Sequence, residues 1–198
     1  DYYSFGEWSE TSTANYDWQD KAFQKGNYNQ ADIQMNGGND KTKFFASLQY
    51  MDQIGTIVGN NLKRLAGRLT VDHTANNWLN VGFTSSLSRT TTRRLPGDNA
   101  FSNPVQASAL PNITPFTDPE TGLMTGTPPG DEFRSLYFNP FISIEYARYV
   151  QQSYRNFSNA YAQAKILPCL NFRSECGLVL LAQQEEGYGG KDNTRYTS

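Results

Sequence analysis

Histidine is nearly missing from this 198-residue chain, with His73 the only one, and cysteine occurs twice, as Cys169 and Cys176. One imidazole and no paired ligand spacing leave zinc chemistry and Cys/His catalysis almost no material, so neither a metal nor a cofactor is expected. The two cysteines are seven positions apart. On one strand an odd spacing points side chains to opposite faces, which argues against a disulfide and reads both as small apolar fillers. Charge is also scarce. Charged residues make up 18% of the chain, against a usual share of about 25%. Lys plus Arg total 17, Asp plus Glu total 19, and the net charge is −2; nothing marks a nucleic-acid tether or a polybasic anchor.

Long hydrophobic runs are absent as well. No apolar stretch approaches the length a membrane helix needs, and the N-terminal residues do not read as a signal peptide. The mean hydropathy of −0.64 does not exclude membrane strands, because in a transmembrane barrel only every second residue meets lipid. Abundant instead are aromatics, at 14%, together with Asn, Thr, Gly and Ser, a mixture that suits β-structure.

Alternation is the main positive signal. Ala31, Ile33 and Met35 alternate with Gln30, Asp32, Gln34 and Asn36, and Gly37 to Lys41 supply a tight turn. A second strand over about Thr42 to Gln53 sets Phe44, Ala46, Leu48 and Tyr50 against Lys43, Ser47 and Gln49, with Phe45 and Met51 blurring the polar side. Leu65, Gly67, Leu69 and Val71 then alternate with Arg64, Ala66, Arg68, Thr70 and Asp72. After a short connection at 73–77, Trp78 opens a fourth strand in which Leu79, Val81, Phe83 and Leu87 oppose Asn80, Gly82, Thr84, Ser86 and Ser88. Prolines from Pro96 to Pro140 break the rhythm. It returns near Gln151, with Ala160, Ala162, Ala164 and Ile166 on one side of a fifth strand. Leu170, Phe172, Cys176, Leu178 and Leu180 follow on a sixth, which fades into Gln183 to Ser198.

Short and long connections alternate along these six strands, as tight turns and large loops do at the two ends of an outer-membrane barrel. The expected organisation is a leading segment at 1–28, strands at 29–90, a long extracellular loop at 91–150, two strands at 151–184 and the start of another loop at 185–198. The fold class is all-β: about six antiparallel strands of a larger up-and-down transmembrane barrel. Six strands leave two open edges, which lipid does not tolerate, so the chain reads as a fragment. Because charge is expensive at the bilayer midplane, Arg64, Arg68, Asp72, Lys165, Arg173 and Glu175 are expected to face the lumen. Trp78, near a strand end, suits an interfacial girdle or ordinary packing.

Specific words in the chain add a resemblance. Tyr16-Asp17-Trp18-Gln19-Asp20 with Ala22-Phe23, Ile33 to Phe45, Ser47 to Gly55, Lys63 to Leu69, Asn159 to Ala162, Lys165 to Pro168 and Leu170 to Glu175 resemble the first part of the barrel, after the plug, in SusC/RagA-type TonB-dependent transporters. The resemblance implies a plugged barrel of about 22 strands that imports oligosaccharides or peptides. It also implies a SusD-like surface lipoprotein over the mouth, and a TonB complex acting through a plug that this sequence does not contain.

Within the long loop, Phe101, Phe116, Tyr137 and Phe138 are the candidates for ligand contact, set against packing of the loop on itself. Asp118 and Glu120 are too few for a calcium cage and read as a solvated turn. His73, expected in a short turn away from the large loops, is badly placed as a catalytic base, so no enzyme activity is expected. Two other readings share the alternating pattern. One is a soluble antiparallel β-domain that binds glycans and buries its apolar faces in a sandwich. The other is a passive porin wall.

Overall fold

A computed structural model of the chain describes residues 15–95, 107, 110–112, 114–117, 122–124 and 139–189. Six strands form one antiparallel sheet in sequence order: β1 (Asn27–Gly38), β2 (Thr42–Ile54), β3 (Asn61–Asn76), β4 (Leu79–Arg93), β5 (Ala147–Leu167) and β6 (Leu170–Gly189). Helix α1 (Trp18–Ala22) precedes the sheet, and α2 (Pro140–Tyr146) leads into β5. This is the up-and-down meander that the alternation predicts.

Asparagine side chains close two of the short connections. Asn39 Oδ1 accepts from the amides of Lys41 and Thr42 at 2.9 and 2.8 Å, and Asn76 Oδ1 accepts from Trp78 and Leu79 at 3.1 and 2.9 Å. Such side chains hold the turn by replacing a backbone acceptor. The connection expected at 73–77 is shorter than that, because β3 runs on to Asn76. His73 is therefore a strand residue, pairing with Thr42 on one side and Val81 on the other. Strands β5 and β6 also extend beyond the alternating region, from Ala147↔Gly189 down to Leu167↔Leu170; backbone pairing continues where the side chains of Gln183 to Glu186 no longer carry a two-residue hydrophobic rhythm.

Register converts the alternating sequence into two faces. Directly paired residues share a face, so Ile33, Leu48, Gly67, Leu87, Asn156 and Leu180 form one cross-sheet row, and Gly37, Phe44, Val71, Phe83, Ala160 and Cys176 another. No second layer covers these rows among the described residues. Ile33 is 72% exposed and Leu48 53%. A soluble monomer rarely bares a contiguous apolar patch larger than a few hundred Å², whereas this band crosses all six strands. Two polar pairs bracket it on β2 and β3: Asp52 with Lys63, an ion pair of 3.3 Å, and Thr42 with His73, whose Oγ1 and Nδ1 are 2.8 Å apart. The pairs are ten residues apart along each strand. At the strand rise and tilt of membrane barrels that spans about 25 Å, the height of a lipid-facing band.

Three polar side chains within the apolar face bond to one another. Ser85 and Ser158 share a hydrogen bond of 3.0 Å, and Ser158 donates to Asn156 Oδ1 at 2.9 Å. Trp78, in the turn after β3, is 55% exposed. Both cysteines are free and exposed.

Candidate functional surface

The opposite face is polar, and the register brings the expected charged residues together on it. Arg64, Arg68 and Asp72 lie on one side of β3, Lys165 on the same side of β5, and Arg173 and Glu175 on the same side of β6. Within this set the charges separate into two groups. Toward the short-turn end, Tyr161 donates to Asp72 Oδ1 at 2.7 Å, the Arg173 guanidinium lies 4.0 Å from the centre of the Tyr161 ring, and Arg173 Nε donates to Glu175 Oε1 at 2.6 Å. Nearer the other end, neither Arg64 nor Arg68 has a hydrogen bond or ion pair among the described residues. Arg155 stands with them on β5, two strands away. Sequence reading missed Arg155, although counting back by twos from Lys165 reaches it.

Gly82 is what lets the Tyr161 network form. A Cβ at this position would overlap the Tyr161 ring and lie 2.6 Å from Asp72 Oδ1. The ring covers the bare backbone of β4 instead. Gly82→Ala is expected to displace the ring and break the Asp72 hydrogen bond, at a cost of about 1–3 kcal/mol. Urea unfolding of the full-length protein in detergent micelles measures this. In a Tyr161→Ala background the same glycine change should cost almost nothing; an equal cost in both backgrounds would show that the ring is not the obstacle.

At the end of the sheet carrying the long loop, the leading segment builds a small core. Asp17 caps α1 by accepting from the Asp20 amide at 2.9 Å. Trp18 and Ala22 are buried with Ala107 and Leu110, and Tyr16, Phe116 and Phe141 pack around them. Phe116 meets Trp18 edge-on at 4.8 Å and Tyr16 at 5.3 Å, Phe141 stacks on Trp18 at 6.2 Å, and Lys21 Nζ lies 5.0 Å over Phe116. Trp18 Nε1 donates to Thr114 O at 3.1 Å, and the Tyr16 amide to Asn112 O at 2.7 Å. Backbone bonds Gln24 N to Thr56 O and Val58 N to Ala22 O tie the segment to the β2–β3 connection. Phe116, one of the four candidate ligand contacts, thus serves as a pin between loop and leading segment. Phe101, Tyr137 and Phe138 lie outside the described residues, as do Asp118 and Glu120.

His73 has Thr42 as its side-chain partner and sits on the apolar face, far along β3 from the aromatic core. No group of three or more metal-ligating side chains occurs among the described residues.

No family model matches the chain. Among curated proteins it is 23% identical over 163 residues to TonB-dependent receptor P39 of Formosa agariphila, covering 81% of this chain and 14% of that protein. It is 34% identical over 59 residues to TonB-dependent receptor P3 of the same organism, covering 30% of this chain and 6% of that one. The chain therefore spans about a seventh of the first relative's length. Among solved structures, the RagAB peptide importer in its open-open state superposes with a TM-score of 0.73 at 22% identity, over 93% of this chain and 21% of that chain. In its closed-closed state it superposes with a TM-score of 0.70, over 88% and 20%. That second likeness is one of fold. The chain is thus similar in sequence to part of two TonB-dependent receptors, and its six-stranded sheet has the fold of a barrel-wall segment of RagAB.

Proposed function

We propose that the chain forms part of the wall of an outer-membrane nutrient importer, its apolar face turned to lipid and its polar face to the lumen. The observation that carries this reading is the uncovered apolar band, bracketed by Asp52–Lys63 and Thr42–His73. Hydrocarbon makes such a surface favourable over all six strands. Arg64, Arg68, Asp72, Lys165, Arg173 and Glu175 then line the lumen, where charge is hydrated or paired with the plug. The long-loop end, with its aromatic core, faces the cell exterior.

The cargo on this reading is an oligosaccharide or a peptide; the RagAB structures, which share the fold, are of a peptide importer. A SusD-like lipoprotein covers the mouth, and a TonB complex drives the plug in the complete protein. The segment itself contributes wall, lumen surface and loop, and performs no catalysis.

Expression of the full-length gene with its genomic neighbour, followed by membrane fractionation and co-purification, tests both levels. Recovery in the outer membrane with a lipoprotein supports the importer. Recovery there without a lipoprotein or a plug favours a porin wall, and a product soluble without detergent favours the glycan-binding sandwich.

A further inference from the structure

Arg64, Arg68 and Arg155 occupy the corners of a triangle on the polar face. Arg64 and Arg68 are four residues apart on β3, and Arg155 lies two strands away at the intermediate level, paired with Ser88 as Ser88 is with Ala66. Strand rise and spacing make each side about 12 Å at the Cα atoms, which leaves the centre within reach of an extended arginine side chain from every corner. The centre is floored by Ala66, Ser86 and Ser88, and a hollow of about 590 Å³ opens above them. That volume lies within the usual range of small-molecule sites.

The positive charge in this hollow is only partly compensated. None of the three guanidinium groups has a hydrogen bond or ion pair among the described residues. The one carboxylate lining the hollow, Asp32, accepts from the neutral amide of Gln30 at 2.6 Å and keeps its charge, so it offsets one of the three positive charges. The carboxylates Asp72 and Glu175 are held by Tyr161 and Arg173 further down the sheet. A mixed set of lumen charges predicts no net field; the pairing pattern instead leaves a local positive one. Arginine's planar fork suits the oxygens of a carboxylate or sulfate, and the two serine hydroxyls below supply further donors.

We infer that Arg64, Arg68 and Arg155 form an oxyanion-binding site on the lumen wall that takes a carboxylate or sulfate group of the cargo. The site rests on the lumen assignment proposed above.

The test is arginine labelling in outer-membrane preparations of the full-length protein, using phenylglyoxal, read residue by residue by mass spectrometry. Citrate is the probe, compared with chloride at equal ionic strength. In chloride all three arginines should react readily, while Arg173, held by Glu175 and Tyr161, reacts slowly. Citrate should slow all three by about fivefold or more, as expected for charge-assisted bonding to the forks. In Arg155→Gln the protection of Arg64 and Arg68 should fall away, because the anion is shared. Slow labelling in chloride would mean that another part of the protein, such as an acidic plug surface, already fills the site. Rapid labelling unchanged by citrate, or protection that survives Arg155→Gln, would equally overturn it. Failure of the importer reading is separate and visible earlier, as absence of the protein from the outer-membrane fraction.

Discussion

Leu48→Arg is expected to impair assembly of the full-length protein into the outer membrane, whereas Gln49→Arg, one residue along the same strand, should assemble normally. Leu48 faces outward in the middle of the bracketed band, 53% exposed on β2, where an arginine in a transmembrane barrel costs about 2–4 kcal/mol. Gln49 pairs with Ala66 on the polar face, diagonal to Arg64 and Arg68, so a charge there stays in water and costs only like-charge repulsion of at most about 1 kcal/mol. Heat-modifiable mobility on gels, which separates folded from unfolded barrel, measures both variants side by side. Equal tolerance of the two would sink the lipid-face assignment. So would equal intolerance, because both faces would then be dry, as in a sandwich core.

The second large effect belongs to the aromatic core outside the membrane band. Trp18 is 3% exposed and touches Phe116, Phe141 and the Thr114 carbonyl. Trp18→Ala removes the largest ring of a core too small to collapse around the gap, and is expected to cost about 3–5 kcal/mol locally. The strands are pinned by their own pairing, so the loss should appear as opening of the loop rather than unfolding of the barrel. Limited proteolysis of intact cells is the measurement: cleavage within 107–142 should rise about tenfold or more while the barrel keeps its heat-modifiable mobility. Trp18→Phe keeps most of the packing and loses the Thr114 bond, at a cost of about 1 kcal/mol, and should raise cleavage only slightly. Unchanged proteolysis in Trp18→Ala would show that the leading segment does not hold the loop.

The sheet was legible in the sequence because one of its faces is apolar and the other polar. A strand between lipid and water must alternate, so Leu65 to Val71 against Arg64 to Asp72 declares both the strand and its two faces. Phe45 and Met51 looked like errors in that rhythm, yet both are regular members of the polar face, paired with Thr70 and Arg64. Where one solvent bathes both faces the signal vanishes. For that reason β6 reaches Gly189, beyond the alternating positions, whereas β5 begins at Ala147 in a packed stretch, with Ala147 and Val150 buried. His73 was misplaced for a related reason: a polar residue at the edge of the band looks like a turn, although its backbone is still paired. The charged residues of the polar face could be named from parity alone. Which of them are neutralised could not, because Tyr161, Asp72 and Arg173 meet across strands far apart in sequence. The core around Trp18 was equally hidden, since it joins residues nearly a hundred positions apart.

On the proposed lipid-facing reading, the bracket formed by Asp52–Lys63 and Thr42–His73 also acts as a gauge of thickness. An apolar band of fixed height fits one class of bilayer, and each ångström of mismatch costs a fraction of a kcal/mol. Paired strands cannot shorten or tilt one at a time, so the penalty is summed around the whole perimeter rather than relieved locally. Bacterial outer membranes are thinner than average, and a band of about 25 Å suits them. A thicker membrane would have to thin around the wall or draw the Asp52–Lys63 ion pair into hydrocarbon. The spacing of two polar pairs along a strand thereby carries a sorting preference, set before any ligand or partner is met.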